Sequence, residues 1–141
     1  MEIGKSKDVA EREEQGTVVH VRDETGELQY YPEGASEQDR KPVTITVIGT
    51  YSRTYRKARQ RARDKNIKTV RNDLSAEGLE AQEIKIAAEC IKEWEGFTSD
   101  GKPFEYSVKN AVLLLEAPYL YEQVFLAMND HESFSTAPSR S

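Results

Sequence analysis

The sequence predicts an α+β fold in which an N-terminal β-hairpin and one further strand form a small antiparallel sheet, followed by about four helices, the last two arranged as a helical hairpin. Two observations support this prediction. Residues 43–49 begin by alternating apolar and hydroxyl side chains with period two, and beyond them apolar residues recur at helical spacings of three and four. With 141 residues, the chain fits one domain with one core. We expect a flexible arm over residues 1–16, a single α+β domain over 17–134 and a disordered tail over 135–141.

The N-terminal third carries the strand signals. Residues 1–16 are charged and lack periodicity, which predicts the arm. Residues 17–22 and 28–31 are rich in β-favouring side chains and flank a turn at Gly26, which is typical of a hairpin. Residues 43–49 are the clearest strand, and period two puts three apolar side chains on one of its faces: Val43, Ile45 and Val47.

The first two helices follow directly. One is predicted over about residues 52–66 because four residues form an inward stripe: Tyr51, Tyr55, Ala58 and Ala62. The next is predicted from the favourable N-cap Ser75 to a stop at Gly96. Its inner face would then include Ile91 and Trp94.

The C-terminal helices have distinct start signals. Asp100 and Gly101 predict a turn, Ser107 predicts the N-cap of a third helix through residue 116, and Pro118 predicts the start of a fourth that reaches about residue 129. We expect the aromatic rings around these turns to lock the second helix against the C-terminal hairpin. These rings belong to Trp94, Phe97 and Phe104.

Positive charge is concentrated in one segment. Nine Lys or Arg residues against one Asp give residues 51–71 a charge of +8, whereas the whole chain carries −5, which leaves −13 for the rest. This face has three possible roles: it neutralises nucleic-acid phosphates, it is solvated and pairs with the acidic second helix, or it meets an acidic partner protein. The negative net charge argues against a general affinity for nucleic acid. The candidate contact residues are Arg56, Arg59 and Arg63.

The sequence offers no catalytic, cofactor-binding or metal-binding motif. A single cysteine, Cys90, provides neither a disulfide nor a metal-ligand spacing, and the glycines match no phosphate-binding loop. Neither His20 nor His131 has a Ser or Cys in a nucleophile-like context or an Asp placed to orient its ring. The acidic N-terminus and the lack of an apolar run of about 18 residues predict a protein with no export signal and no membrane span. We therefore expect a cytosolic protein that is not an enzyme.

Residues 107–129 contain more apolar surface than one inward stripe requires. The predicted inner face of the third helix is Val108, Ala111, Val112 and Leu115. Leu113 and Leu114 point elsewhere, and Tyr121 and Phe125 add to the surplus on the fourth helix. Either this hairpin is central to the fold, or part of it is an exposed patch for a partner or a second copy of the chain. The candidate partner-binding residues are Leu113, Leu114, Tyr121 and Phe125.

Several short motifs occur in an order that resembles the tail assembly chaperones of long-tailed, siphovirus-like bacteriophages. The resemblance covers about residues 43–134. The motifs are the strand at 43–49 followed by the basic helix Tyr51-x-x-x-Tyr55-Arg56-Lys57-Ala58, Trp94-x-Gly96, Asp100-Gly101-Lys102, Ser107-x-x-Asn110-Ala111-x-x-Leu114-Leu115, and Pro118-x-Leu120-x-x-Gln123-Val124.

The resemblance implies a small, mostly helical factor of the host cell cytoplasm that is absent from the mature virion. Such proteins coat the aggregation-prone tape measure protein and keep it soluble until tail tube protein polymerises around it. Many are made in two lengths by a programmed frameshift. On this basis the apolar hairpin and the basic helix are the expected partner surfaces. Two alternatives remain: a nucleic-acid-binding protein using residues 51–71, and a structural component of a tail or capsid.

Overall fold

The computed structural model describes residues 2–68 and 76–135, and it confirms the predicted α+β fold class. In chain order the elements are α1 (Gly4–Gln15), β1 (Thr17–His20), β2 (Tyr30–Tyr31), β3 (Lys41–Pro42), β4 (Thr44–Val47), α2 (Arg53–Lys68), α3 (Ala76–Glu89), β5 (Ile91–Glu95), β6 (Thr98–Ser99), β7 (Lys102–Pro103), α4 (Val108–Leu115), α5 (Pro118–Asn129) and α6 (His131–Ser135). Two sequence predictions lie outside the described residues: the N-cap at Ser75 and the basic residue Arg71. So does the predicted tail over 135–141, except for Ser135, which is the last residue of α6.

The main sheet has three antiparallel strands in the order β1, β4, β5. The central strand β4 lies in the segment where alternation is clearest. Val43, Ile45 and Val47 are buried, as their shared face predicts, whereas Thr44 and Thr46 are half-buried. The alternating pattern therefore determined which face of the strand packs against the core.

The predicted N-terminal hairpin forms only near its turn. Arg22 and Leu28 form an isolated antiparallel bridge, and the Asp23 N–H donates to the Glu27 carbonyl at 2.9 Å. Further from the turn the two arms separate, because β1 pairs with β4 whereas β2 pairs with β3. The third strand of the main sheet is therefore β5 and not the second arm of the hairpin.

Residues 91–95 correct the prediction of a long second helix. Helix α3 ends at Glu89, and the next residues form β5 against β4. The register shifts between Thr46 and Val47, so that Val47 pairs with Ile91 and Ile45 pairs with Trp94. This β-bulge lets the side chains of Ile91 and Trp94, three residues apart, lie on the same buried face of the sheet. A spacing of three also fits one face of a helix, which is why the sequence favoured a helix here.

The first 16 residues also differ from the prediction of a flexible arm, because most of them form helix α1. The buried side chain on this helix is Glu13, which is only 1% exposed. Gly16, with a φ of 91°, follows the helix and leads into β1. A charged segment without an apolar stripe gives no periodic helix signal, which is why the sequence did not predict α1.

The C-terminal elements start where the sequence predicts. The Ser107 side chain accepts a hydrogen bond from the Asn110 N–H at 3.0 Å, and Pro118 is the first residue of α5. Asp100 and Gly101 both have positive φ and connect β6 to β7, as in a type I′ turn. Among the described residues, no single helix has the length and apolar composition to cross a membrane; α4 and α5 pass that test only as a pair, with a 113° bend between them.

The rings of Phe97 and Phe104 pack on Trp94, as expected, although Trp94 lies on a strand. The indole N–H donates to the Phe104 carbonyl at 2.7 Å. The core that this cluster joins contains α3, the sheet and the inner faces of α4 and α5. Its buried members are Val21, Val43, Ile45, Val47, Ile48, Ala87, Ala88, Cys90, Ile91, Trp94, Ala111, Leu114, Leu115, Leu120, Val124 and Met128.

Candidate functional site

Helices α4 and α5 carry five exposed apolar side chains, which together we call the α4–α5 apolar surface. Ten large hydrophobic side chains are exposed in the described part of the chain, and half of them lie on these two short helices. Of the residues predicted here, Leu113 is 52% exposed and Phe125 is 44% exposed. The five side chains are Val108, Leu113, Tyr119, Phe125 and Leu126.

Leu114 corrects the predicted surface. It is only 8% exposed and belongs to the core beside Ala111 and Leu115, whereas Val108, predicted to face inward, is 39% exposed. At about 100° per residue, the buried face of α4 is rotated by about 60° from the predicted one. A helix of eight residues that is apolar nearly all round does not itself indicate which stripe faces its neighbour.

Tyr121 is half-buried and stacks on Phe125, with 5.9 Å between ring centroids. Burial raises the pKa of its hydroxyl; the charge of Glu83 raises it further, and that of Arg59 lowers it. These effects place Tyr121 near the ion pair between α2 and α3. The edge of the apolar surface therefore lies close to charged groups.

Arg59 is half-buried and is held against α3. Its guanidinium donates to both carboxylate oxygens of Glu83, at 2.6 and 2.9 Å, and to the Tyr55 hydroxyl at 2.7 Å. The hydrogen bonds to Glu83 raise its pKa further above the ordinary arginine value. Arg61 pairs with Glu89, the last residue of α3. These two arginines make the internal pairs with the acidic second helix that the sequence suggested.

Four cations remain on the opposite side of α2, and we call them the outer basic face. They are exposed, and no ion pair to a carboxylate of the described residues is found for any of them. The nearby Asp64 accepts a hydrogen bond from Gln60. This face keeps two of the three arginines that the sequence proposed as contacts. Its members are Arg53, Arg56, Lys57 and Arg63.

A buried carboxylate fixes the turn before α2. Glu13 accepts a hydrogen bond from the Tyr51 N–H at 2.8 Å and lies 2.5 Å from Nδ1 of His131. The rings of Tyr51 and His131 stack with centroids 3.8 Å apart and planes within 7° of parallel. A Cβ at Gly49 would overlap the Glu13 side chain, so this position has no room for a larger residue.

This cluster corrects two expectations. Tyr51 was predicted to face inward but is 55% exposed, and His131 does have an acidic partner. The sequence could not show that partner, because Glu13 is 118 positions away in a segment that looked like solvated arm. The prediction missed Glu13 altogether.

A groove of about 700 Å³ adjoins the cluster, between α1 and the start of α2. Glu14 in its wall accepts hydrogen bonds from the backbone N–H and the hydroxyl of Thr54. Burial alone raises the pKa of Glu14, but these bonds and the charge of Arg53 outweigh it and hold the pKa below its ordinary value. The groove is lined by Ser6, Lys7, Ala10, Glu11, Glu14, Thr50, Tyr51, Arg53 and Arg56.

The side chains that most often bind metals or act as nucleophiles and bases are few among the described residues. No group of three metal-ligating side chains occurs within 2–68 and 76–135. Cys90 is buried, and burial raises the pKa of its thiol to about 12, which suppresses the reactive thiolate. His20 contacts the Gln29 carbonyl at 2.9 Å.

Comparisons with models of known protein families, with curated proteins and with solved structures found no match.

Proposed function

We propose that this protein is a phage tail assembly chaperone that binds and solubilises the tape measure protein and helps tail tube protein polymerise around it. The observation that carries the proposal is the α4–α5 apolar surface. The motif resemblance over residues 43–134 supplies the class of client.

Helix α5 is apolar on two sides. Leu120, Val124 and Met128 are buried in the core, whereas Tyr119, Phe125 and Leu126 are exposed. Exposed apolar residues on a second side of a helix are typical of a surface covered by a further element. A helical client that lies against the outer side would provide that cover.

The exposed area is small, so each contact should be weak. Complete burial of a large apolar side chain is worth about 1.5–3 kcal/mol, and these side chains are already partly buried. Three or four such contacts, less the cost of association, correspond to a dissociation constant well above nanomolar. A long, repetitive client that binds many copies would compensate through avidity, and polymerising tube protein could still displace each copy.

Co-expression with the tape measure protein tests the proposal. The wild-type chain should raise the soluble fraction of the client and co-purify with it. The double variant Leu113→Ser, Phe125→Ser should lose both effects. A matched control is Val18→Ser, Leu79→Ser, which also removes two exposed apolar side chains, 65% and 45% exposed, but outside α4 and α5.

All four substituted side chains are at least 44% exposed, so each change should lower the free energy of unfolding by only about 0.5–1.5 kcal/mol and leave the domain folded. Equal loss of client binding in both double variants would show that the effect is not specific to the α4–α5 surface. A wild-type chain that leaves the tape measure protein insoluble would refute the proposal.

The alternative of a structural tail or capsid component makes a different prediction. A chaperone should be found in the host cytoplasm and be absent from purified mature particles. Mass spectrometry of such particles distinguishes the two roles, since a stoichiometric signal from this chain would favour the structural one.

A further inference from the structure

We propose that the groove between α1 and α2 binds single-stranded nucleic acid, with Tyr51 as a base-stacking platform and the outer basic face as the phosphate contact. This site is separate from the α4–α5 apolar surface and does not depend on the chaperone proposal. It rests on an exposed aromatic ring that is fixed beside exposed cations, for which the described residues show no ion pair to a carboxylate.

The platform is fixed before any ligand arrives. One face of the Tyr51 ring lies on His131 at 3.8 Å, and the side chain is nevertheless 55% exposed. The Glu13 carboxylate holds both partners, because it accepts the Tyr51 backbone N–H and contacts the His131 ring. Base stacking on a ring that is already ordered costs little conformational entropy, and every base has a π-face that can use it.

Cations extend from the platform along α2. Lys7, Arg53 and Arg56 line the same groove as Tyr51. Beyond the groove the outer basic face reaches Arg63, ten residues from Arg53, which is about 15 Å along the helix. That length spans four to five nucleotides of a strand that keeps the base-stacked rise of about 3.4 Å per nucleotide.

The two acidic side chains in the groove differ in their effect. Glu14 is occupied by Thr54 at the start of α2, so its charge is directed toward the helix. Glu11 opposes a bound phosphate and limits affinity. An acidic protein would be attracted to the same cations and would also bury part of the Tyr51 ring. A nucleotide, however, carries a flat base next to each phosphate, whereas an acidic side chain has no ring beside its charge. The combination of ring and cations therefore favours nucleic acid.

Fluorescence anisotropy with a labelled oligothymidylate of about 20 nucleotides tests the site. Four phosphate contacts predict a slope of about −3 for the logarithm of the association constant against the logarithm of salt concentration. The variant Arg56→Glu, Arg63→Glu should weaken binding at least tenfold. The control Lys102→Glu, Lys109→Glu makes the same change in net charge at two other exposed lysines and should stay within about twofold of the wild type.

The platform has its own test. Tyr51→Leu should weaken oligothymidylate binding roughly five- to hundredfold, the range for loss of one stacked base, whereas Tyr51→Phe should bind like the wild type. Circular dichroism and thermal melting check that each variant is folded.

Three results would overturn the inference. One is no binding of oligothymidylate at about 50 mM salt; another is equal loss in the two charge-reversal variants. The third is competition by poly-glutamate as strong as by unlabelled oligonucleotide together with unchanged binding by Tyr51→Leu, which would assign the surface to an acidic protein. None of these results bears on client binding at α4 and α5, so the two proposals fail separately.

Discussion

The buried carboxylate of Glu13 allows a quantitative test of what holds α1 on the protein. Glu13→Ala removes two hydrogen bonds, from the Tyr51 N–H at 2.8 Å and with the His131 ring at 2.5 Å. Hydrogen bonds to charged groups contribute about 1.5–3 kcal/mol each, and Glu13 is 1% exposed. We therefore expect a loss of about 3–5 kcal/mol in the free energy of unfolding, measured by urea denaturation.

A double-mutant cycle separates the contribution of the pair from other effects. His131→Ala alone should cost about 1–3 kcal/mol, since its side chain is 33% exposed and it also loses the stacking on Tyr51. The two substitutions together should cost about 1–2 kcal/mol less than their sum, because they share one contact. Glu13→Gln keeps a carbonyl acceptor for the Tyr51 N–H and should fall between the wild type and the alanine variant. A cost below about 1 kcal/mol for Glu13→Ala, or strict additivity with His131→Ala, would refute the reasoning.

Two further predictions concern the core. Trp94→Ala should lower the free energy of unfolding by about 3–5 kcal/mol. Trp94→Phe should lower it by only about 1–2 kcal/mol, because phenylalanine keeps the ring packing but loses the hydrogen bond to the Phe104 carbonyl. An unchanged melting temperature for the alanine variant would contradict this packing. Since burial raises the pKa of the Cys90 thiol to about 12, the folded protein should resist a thiol reagent at pH 8 and react only after denaturation, and rapid labelling of the native state would show that the thiol is accessible.

The parts of the fold that the sequence predicts are those set by neighbouring residues. The type I′ turn at Asp100 and Gly101, the N-cap at Ser107 and the start of α5 at Pro118 each depend on a few consecutive side chains. The central strand is equally local, because the alternating positions of one segment determine its buried face. Contacts over long sequence distances were not needed for these predictions.

The errors occur where a distant contact overrides the local pattern. Ile91 and Trp94 have a spacing that fits both a helix and a bulged strand, and pairing with β4 selects the strand. Helix α1 has no apolar stripe, so its position depends on the contacts of Glu13 with Tyr51 and His131 and of Glu14 with Thr54. No single-segment pattern contains those contacts.

In the candidate site too, local sequence predicts some features, and distant contacts decide the others. Leu113 and Phe125 are exposed, as predicted from surplus apolar character, whereas Leu114 is buried because the packing of α4 on α3 sets the rotation of the helix. Arg59 was proposed as a partner contact, but its bonds to Glu83 hold it between two helices. Exposure of an individual side chain depends on tertiary packing, which composition alone does not determine.

The locations of the two proposed surfaces have a consequence for the Glu13 variants. The groove wall includes α1, and the Tyr51 platform is held by Glu13, so this site depends on a polar contact with α1 and α6. The α4–α5 apolar surface instead lies on helices that pack against α3 and the sheet through buried apolar residues. Loss of the Glu13 carboxylate should therefore weaken oligothymidylate binding in a protein that stays folded, while solubilisation of the tape measure protein is preserved. A variant that lost both activities without unfolding would show that the two surfaces are coupled through the fold.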